Sequence, residues 1–297
     1  MSKRSRDRQL AKLAARRQAE RDAAVRRRNL ITGIAAGVVA LVVAIVGLGV
    51  LLGDETDTAS PSASPPTDPS VSPSPSAAPG TKTGTVTPTA ANESGEVACG
   101  ADTPAKAGKP KPQFAGPPPM TIDPEATYTA TMVTSCGTIV IELDAKRAPQ
   151  TVNSFVFLAK KAYFDGQYFH RLDTSIDVIQ GGDPSGTGAD GPGYAIPDEL
   201  KPNASYTPGT LAMANAGPNT GGSQFFIITG PDGANLDGNP NFTIFGNVVE
   251  GLPVAERIQA LPISDPEAAA NGDLSGQRPA QAVYIEKLTI RKTGGGA

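Results

Sequence analysis

Leu30 to Leu52, "LITGIAAGVVALVVAIVGLGVLL", is 23 residues without a charge. At about 1.5 Å per residue it spans a hydrocarbon core of about 30 Å, and it is apolar on every side, so it reads as one transmembrane helix. Arg26-Arg27-Arg28 precede it, and Asp54, Glu55 and Asp57 follow. That asymmetry puts the N-terminus in the cytoplasm and the rest of the chain on the far side. A cleaved signal peptide is the rival reading; the long charged region ahead, the length of the apolar run and the lack of a small-x-small site argue against it. Residues 1–29 carry eleven basic against three acidic residues, +8, leaving 15 basic against 26 acidic residues, −11, for the remainder. Next to an apolar helix, such a tail is a topology determinant and a contact for anionic membrane lipid rather than a specific nucleic-acid binder.

Beyond the apolar run the chain changes character. From residue 53 to 124 it is rich in Pro, Ser and Thr ("SPSASPPTDPSVSPSPSAAPG"), with too little apolar surface to offset its ordering entropy. It is expected to be a disordered, extended stalk whose last part, from Asn92, drapes over the folded region. From 125 to 292 the pattern is globular. "YTATMVTSCGTIVIELD" alternates on both sides of a Ser135-Cys136-Gly137 turn, and "APQTVNSFVFLAKKAYF" switches to helical period with Pro149 in its first turn. Short strands at 177–180, 210–214, 224–229 and 243–248 follow, then a helix at 252–260 and a strand at 282–290. Many short strands and two helices predict an antiparallel barrel or sandwich with helices at its ends. Cys99 and Cys136 are the only cysteines. On an oxidising face of the membrane they could form a disulfide, the alternative being two separate thiols. With one histidine in the chain, they are too few for a zinc site.

The lone histidine, His170, has no Gly-x-Ser-x-Gly partner motif and so makes no hydrolase triad. "GTGADG" at 186–191 matches a dinucleotide fingerprint literally, but Pro192-Gly193-Tyr194 follow it, so no helix opens there to receive a pyrophosphate. In "MANAGPNTGGSQFFI", strand alternation puts Gln224, Phe226 and Ile228 on one face; Val178 and Gln180 share a face in the earlier strand. Two strands presenting glutamine beside an apolar residue would make either a shallow groove or ordinary surface.

"YFHR", "QGGDP", "GTGADGPGY", "MANAGPNTGGSQFFI", "LDG" and "FTIFGNVVEG", in this order over about residues 126–291, resemble the cyclophilin family of peptidyl-prolyl cis/trans isomerases. The basic tail, single anchor and Pro-rich stalk resemble the membrane-anchored cyclophilins of high-GC Gram-positive bacteria. The resemblance implies a mainly β fold, an eight-stranded antiparallel barrel capped by two helices, with its site on the outer face. The family's catalytic arginine falls on Arg171. Its groove residues fall on His170, Val178, Gln180, Ala214, Asn215, Ala216, Gln224, Phe226 and Leu236, and Phe242 stands where the family often has histidine. Asp177 takes a position commonly apolar or aromatic, and Asn235 one commonly tryptophan; strand parity would aim Asp177 inward, so a bulge or late strand start turning it to water is expected.

What the resemblance implies is rotation about Xaa-Pro bonds of exported or cell-surface proteins, needing no cofactor, no metal and no covalent intermediate. The alternative is a peptide-binding or chaperone module on the same barrel with weak turnover, which the altered pocket residues Asp177, Asn235 and Phe242 would suit. The expected partners are proline-containing polypeptides, and the catalytic domain is expected to be monomeric and extracytoplasmic.

Overall fold

A computed structural model describes residues 84–294, apart from Glu93 and Asn239. The basic tail, the apolar run at 30–52 and the first part of the stalk lie outside the described residues, and among those described no helix is long and apolar enough to cross a membrane.

Two short strands, β1 (Gly84–Val86) and β2 (Lys111–Gln113), pair with each other ahead of the main sheet. The alternating stretch then forms a hairpin of β3 (Thr127–Thr134) and β4 (Gly137–Leu143), with Tyr128, Ala130 and Met132 buried on one strand and Ile139, Ile141 and Leu143 on the other. Helix α1 (Pro149–Lys160) follows. No residue of its own caps it; instead Glu199 accepts from Gln150 N at 3.0 Å and Thr151 N at 2.9 Å. A carboxylate there satisfies orphan amides at the positive end of the helix dipole.

The remaining elements are β5 (Arg171–Asp173), β6 (Val178–Gly181), β7 (Thr210–Met213), β8 (Phe225–Ile228), β9 (Ile244–Glu250), helix α2 (Leu252–Gln259), a five-residue helix α3 (Pro266–Ala270) and β10 (Ile285–Gly294). β5 is too short to show a period and was not expected from the sequence. α3 corrects the expectation of two helices: Asp265 caps it by accepting from Glu267 N and Ala268 N, and it buries none of its residues, so no apolar stripe announces it.

The eight strands form one sheet in the order β10-β3-β4-β9-β7-β8-β6-β5, with every pairing antiparallel. Its two ends are joined just before β5: Gly166 N donates to Ile285 O at 2.7 Å, Ile285 N to Gln167 O at 2.7 Å, and Phe169 N to Val283 O at 2.9 Å. These bonds join the sheet's two ends over a short stretch and curl it into a barrel, while β5 and the rest of β10 remain paired on one side only. The interior holds Met132, Ile141, Leu172, Ile179, Leu211, Phe225, Ile227 and Phe245. Phe155 from α1 meets Phe164, Phe225 and Phe245 with ring centroids 4.9, 5.7 and 5.2 Å away.

Residues 84–122 pack along the barrel. Phe114 stacks edge-on against Phe157 at 5.0 Å, and its N–H donates to Pro192 O at 2.7 Å. Lys106 Nζ lies 2.7 Å from the buried carboxylate of Asp165, and Lys111 Nζ donates to the Asp165 carbonyl. Asn153 of α1 accepts from Thr121 N and donates to Pro119 O. A disulfide joins Cys99, in this strap, to Cys136 in the β3–β4 turn, with Cα atoms 5.2 Å apart. The proline content of the strap, read from composition as spacer, suits a segment that lies extended and draws its order from the surface beneath it.

Candidate active site

Register across four strands builds the site. Arg171 on β5 faces Gln180 on β6, Gln180 faces Phe226 on β8, and Phe226 faces Ala212 on β7. Strand alternation sends Ile179, Phe225, Ile227 and Leu211 into the barrel and their neighbours Val178, Phe226, Ile228 and Ala212 into a separate apolar cluster outside it. Leu236, Phe242 and Ala214 pack half-buried against that cluster. Phe242 meets Phe226 edge-on at 5.2 Å, and its main chain is clasped by the Tyr206 hydroxyl, which donates to Phe242 O at 2.8 Å and accepts from Phe242 N at 3.1 Å.

The polar half is a chain of hydrogen bonds. Arg171 Nη1 donates to Gln180 Oε1 at 3.0 Å, Gln180 Nε2 to Gln224 Oε1 at 3.0 Å, and Gln224 Nε2 to Gly188 O and Asp190 O at 3.0 and 2.9 Å. Each glutamine thus turns its carbonyl toward the arginine. Arg171 also donates through Nε to Gln277 Oε1 at 2.6 Å and through Nη2 to Asp173 Oδ2. Its side chain is 23% exposed, against 5% for Asp173. A cavity of about 600 Å³ adjoins it, lined by Arg171, Gln180, Gln224 and Ala214–Ala216, by the glycine loop at 188–193, and by Gln113 and Leu274.

The expected residues therefore divide into a polar cavity wall (Arg171, Gln180, Ala214, Asn215, Ala216, Gln224) and an apolar patch (Val178, Phe226, Leu236, Phe242) that Ala214 adjoins. Asn215 spends its side chain internally, donating to Asn241 O at 2.8 Å, so a ligand would meet its main chain. His170 departs from the expectation that it lines the groove. It is 6% exposed, it is not on the cavity wall, and neither ring nitrogen has a protein partner. Burial pushes its pKa down to about 4, helped by the Arg171 and Arg278 cations and opposed by Asp183, so the ring is neutral at pH 7.

Unfolded, a histidine titrates near 6.5. Between about 6.5 and 4 the unfolded chain holds the extra proton, so this residue makes stability fall as pH drops through that window and leaves it level above. Thermal melts of His170→Phe should lack that component of the wild-type decline; parallel pH profiles for the two would refute it.

Asp177 precedes the strand with φ of 50°, and its half-exposed carboxylate is turned out of the barrel, where it is also held by a main-chain amide. Its Oδ2 accepts from Asp232 N at 2.8 Å, and its carbonyl accepts from Thr229 N at 2.8 Å. It thereby braces the 3-10 turn Pro231–Leu236, which brings Leu236 to the apolar patch.

Sequence reasoning missed Asp173, Gln277, Gln113 and Leu274. Asp173 carried a usable signal, since residues two apart on a strand share a face. The other three come from segments remote in sequence and carried none.

An arginine held by three acceptors thus stands beside an apolar cluster outside the barrel and an open cavity. The family model described as "Cyclophilin type peptidyl-prolyl cis-trans isomerase/CLD" matches residues 129–290. The mouse "Peptidyl-prolyl cis-trans isomerase-like 1" is 46% identical over 145 residues, 48% of this chain and 83% of that protein. "Peptidyl-prolyl cis-trans isomerase A" of Mycobacterium tuberculosis is 41% identical over 189 residues, 58% of this chain and 96% of that one. The crystal structure of a cyclophilin type isomerase from Cryptosporidium parvum superposes with a TM-score of 0.48 at 28% identity, covering 56% of this chain and 99% of that chain. The chain belongs to the cyclophilin-type peptidyl-prolyl cis-trans isomerase family, and its activity is peptidyl-prolyl cis/trans isomerisation.

Proposed function

We propose that this isomerase works by electrostatic stabilisation of a twisted Xaa-Pro amide, with Arg171 as the catalytic residue, and that it acts on proline-containing polypeptides outside the cytoplasm. Rotation about such a bond faces a barrier near 18–20 kcal/mol, because amide resonance must be broken. In the twisted state the prolyl nitrogen regains its lone pair, and the charge on the carbonyl oxygen shifts. A donor held where that charge changes lowers the barrier without moving itself. A guanidinium suits this, being always charged and rigidly forked.

The observation carrying the reading is that three of Arg171's five N–H groups are engaged by Gln277, Gln180 and Asp173. Two remain for a substrate. Half-buried Leu236, Phe242 and Ala214, packed on the buried Val178 and Phe226, offer the adjoining apolar surface that a proline ring requires, while Gln180, Gln224 and the Asn215 main chain border the flanking peptide. His170, buried and neutral, takes no part in proton transfer.

The same proposal assigns 1–29 to the cytoplasm in contact with anionic lipid, 30–52 to the membrane, and 53–124 to a stalk whose end docks on the catalytic domain at 125–292. Its supports are the charge asymmetry and the uninterrupted apolar run. The full chain in detergent should accelerate a proline-limited refolding reaction. In oriented vesicles, protease added to the extracytoplasmic side should release the domain. Binding of a Pro-peptide without acceleration would overturn the catalytic reading, and protection of the domain in those vesicles would overturn the topology.

A further inference from the structure

We infer that Gln277 is a positioning residue for catalysis, fixing the plane of the Arg171 guanidinium through its Nε–H; this rests on Arg171 being the catalytic residue. Gln180 and Asp173 hold the Nη end of that group, and both belong to the same two paired strands as Arg171. Gln277 approaches from elsewhere. It lies 106 residues along the chain, is 9% exposed, and accepts from Nε at 2.6 Å. With bonds at the Nε edge as well as both Nη atoms, the planar group has no remaining axis about which to swing.

The acceptor is itself firmly mounted. Gln277 ends the 3-10 turn Leu274–Gln277, which Asp273 caps by accepting from Ser275 N at 2.9 Å. The turn is closed against the start of α3 by Asp265 N donating to Gly276 O at 3.2 Å and Ser264 N to Arg278 O at 2.7 Å. Gly276 permits the approach: a Cβ there would lie 2.5 Å from Asp265 O. The next residue, Arg278, donates to Gly186 O and Ala90 O, so the turn is fastened to the glycine loop and the strap as well. The arm from Ser264 to Arg278 thus delivers one neutral acceptor to the arginine.

Neutrality matters to the chemistry. Asp173 already places one negative charge on the guanidinium. A second carboxylate would cancel more of the field that acts on the twisted amide, whereas an amide carbonyl orients the group and leaves its charge in place.

Gln277→Met keeps the length of the side chain and removes the acceptor. In the full chain in detergent it should lower kcat about tenfold, the scale of one hydrogen bond to a charged group, with KM within about twofold. The Arg171 Nε–H resonance, shielded from solvent exchange in the wild type, should exchange rapidly in this variant and stay shielded in Gln277→Glu, which retains an acceptor. Unchanged kcat in the methionine variant, a shielded Nε–H in it, or a fall in kcat matched by loss of folded protein in a urea titration would each overturn the inference. Retained activity in Arg171→Ala would instead overturn the underlying assignment, so the two failures can be told apart.

Discussion

Arg171→Ala is expected to lower the catalysed isomerisation rate by about 10²–10³-fold, the usual consequence of removing one donor from a preorganised transition-state site. The measurement is the acceleration of a proline-limited refolding step at matched folded concentration. Activity within a few-fold of wild type would sink the assignment. The variant should also be less stable, because its loss strands a carboxylate. Asp173 is 5% exposed at the side chain and would keep only Ser175, whose N–H and Oγ lie 2.9 and 2.6 Å from Asp173 Oδ1. A buried charge that loses its partner is costly. Arg171→Ala combined with Asp173→Asn should therefore recover most of the lost urea midpoint and none of the lost rate. That separation distinguishes a catalytic arginine from one that only holds the strand pair together.

Removing the disulfide should have the second large effect. Cys99 and Cys136 are 37 residues apart, and releasing a loop of that length frees unfolded-state entropy worth about 4 kcal/mol. The double substitution Cys99→Ser, Cys136→Ser, or reduction of the wild type, should lower the urea midpoint accordingly. Cys99 sits at φ of 61°, where a side chain is disfavoured by about 1–2 kcal/mol, a cost that serine keeps and glycine removes. Cys99→Gly with Cys136→Ser should accordingly be the more stable of the two double variants. The consequence reaches the site, because the strap supplies Gln113 to the cavity wall and its Phe114 N–H to Pro192 O in the glycine loop. Reduction should thus also expose residues 84–122 to limited proteolysis and weaken peptide binding. An unchanged urea midpoint on reduction would show that the strap is held by its noncovalent contacts, among them those of Phe114, Lys106, Lys111 and Asn153.

Much of this was legible along the chain. The β3–β4 hairpin, α1 and the outward set Val178, Gln180, Gln224 and Phe226 follow from periods of two and 3.6, since periodicity decides which side chains share a face. The short β5 and the capped α3 did not, because three residues show no period and α3 buries no apolar side. Asp177 was recognised as out of place from strand parity, but its use as a brace for the Leu236 turn depends on Asp232 N, 55 residues away.

From the sequence alone came the distribution of charge about the apolar run and the turn-and-strand rhythm, because each is a local property of neighbouring residues, and the family resemblance of its motifs pointed to Arg171 as the residue to watch. Only the tertiary structure decided what holds that arginine, buried His170 away from the cavity, and brought Gln113, Leu274 and Gln277 to its surroundings. Barrel closure and the packing of strap and arm join positions far apart in the chain, and no local pattern encodes which of them will meet.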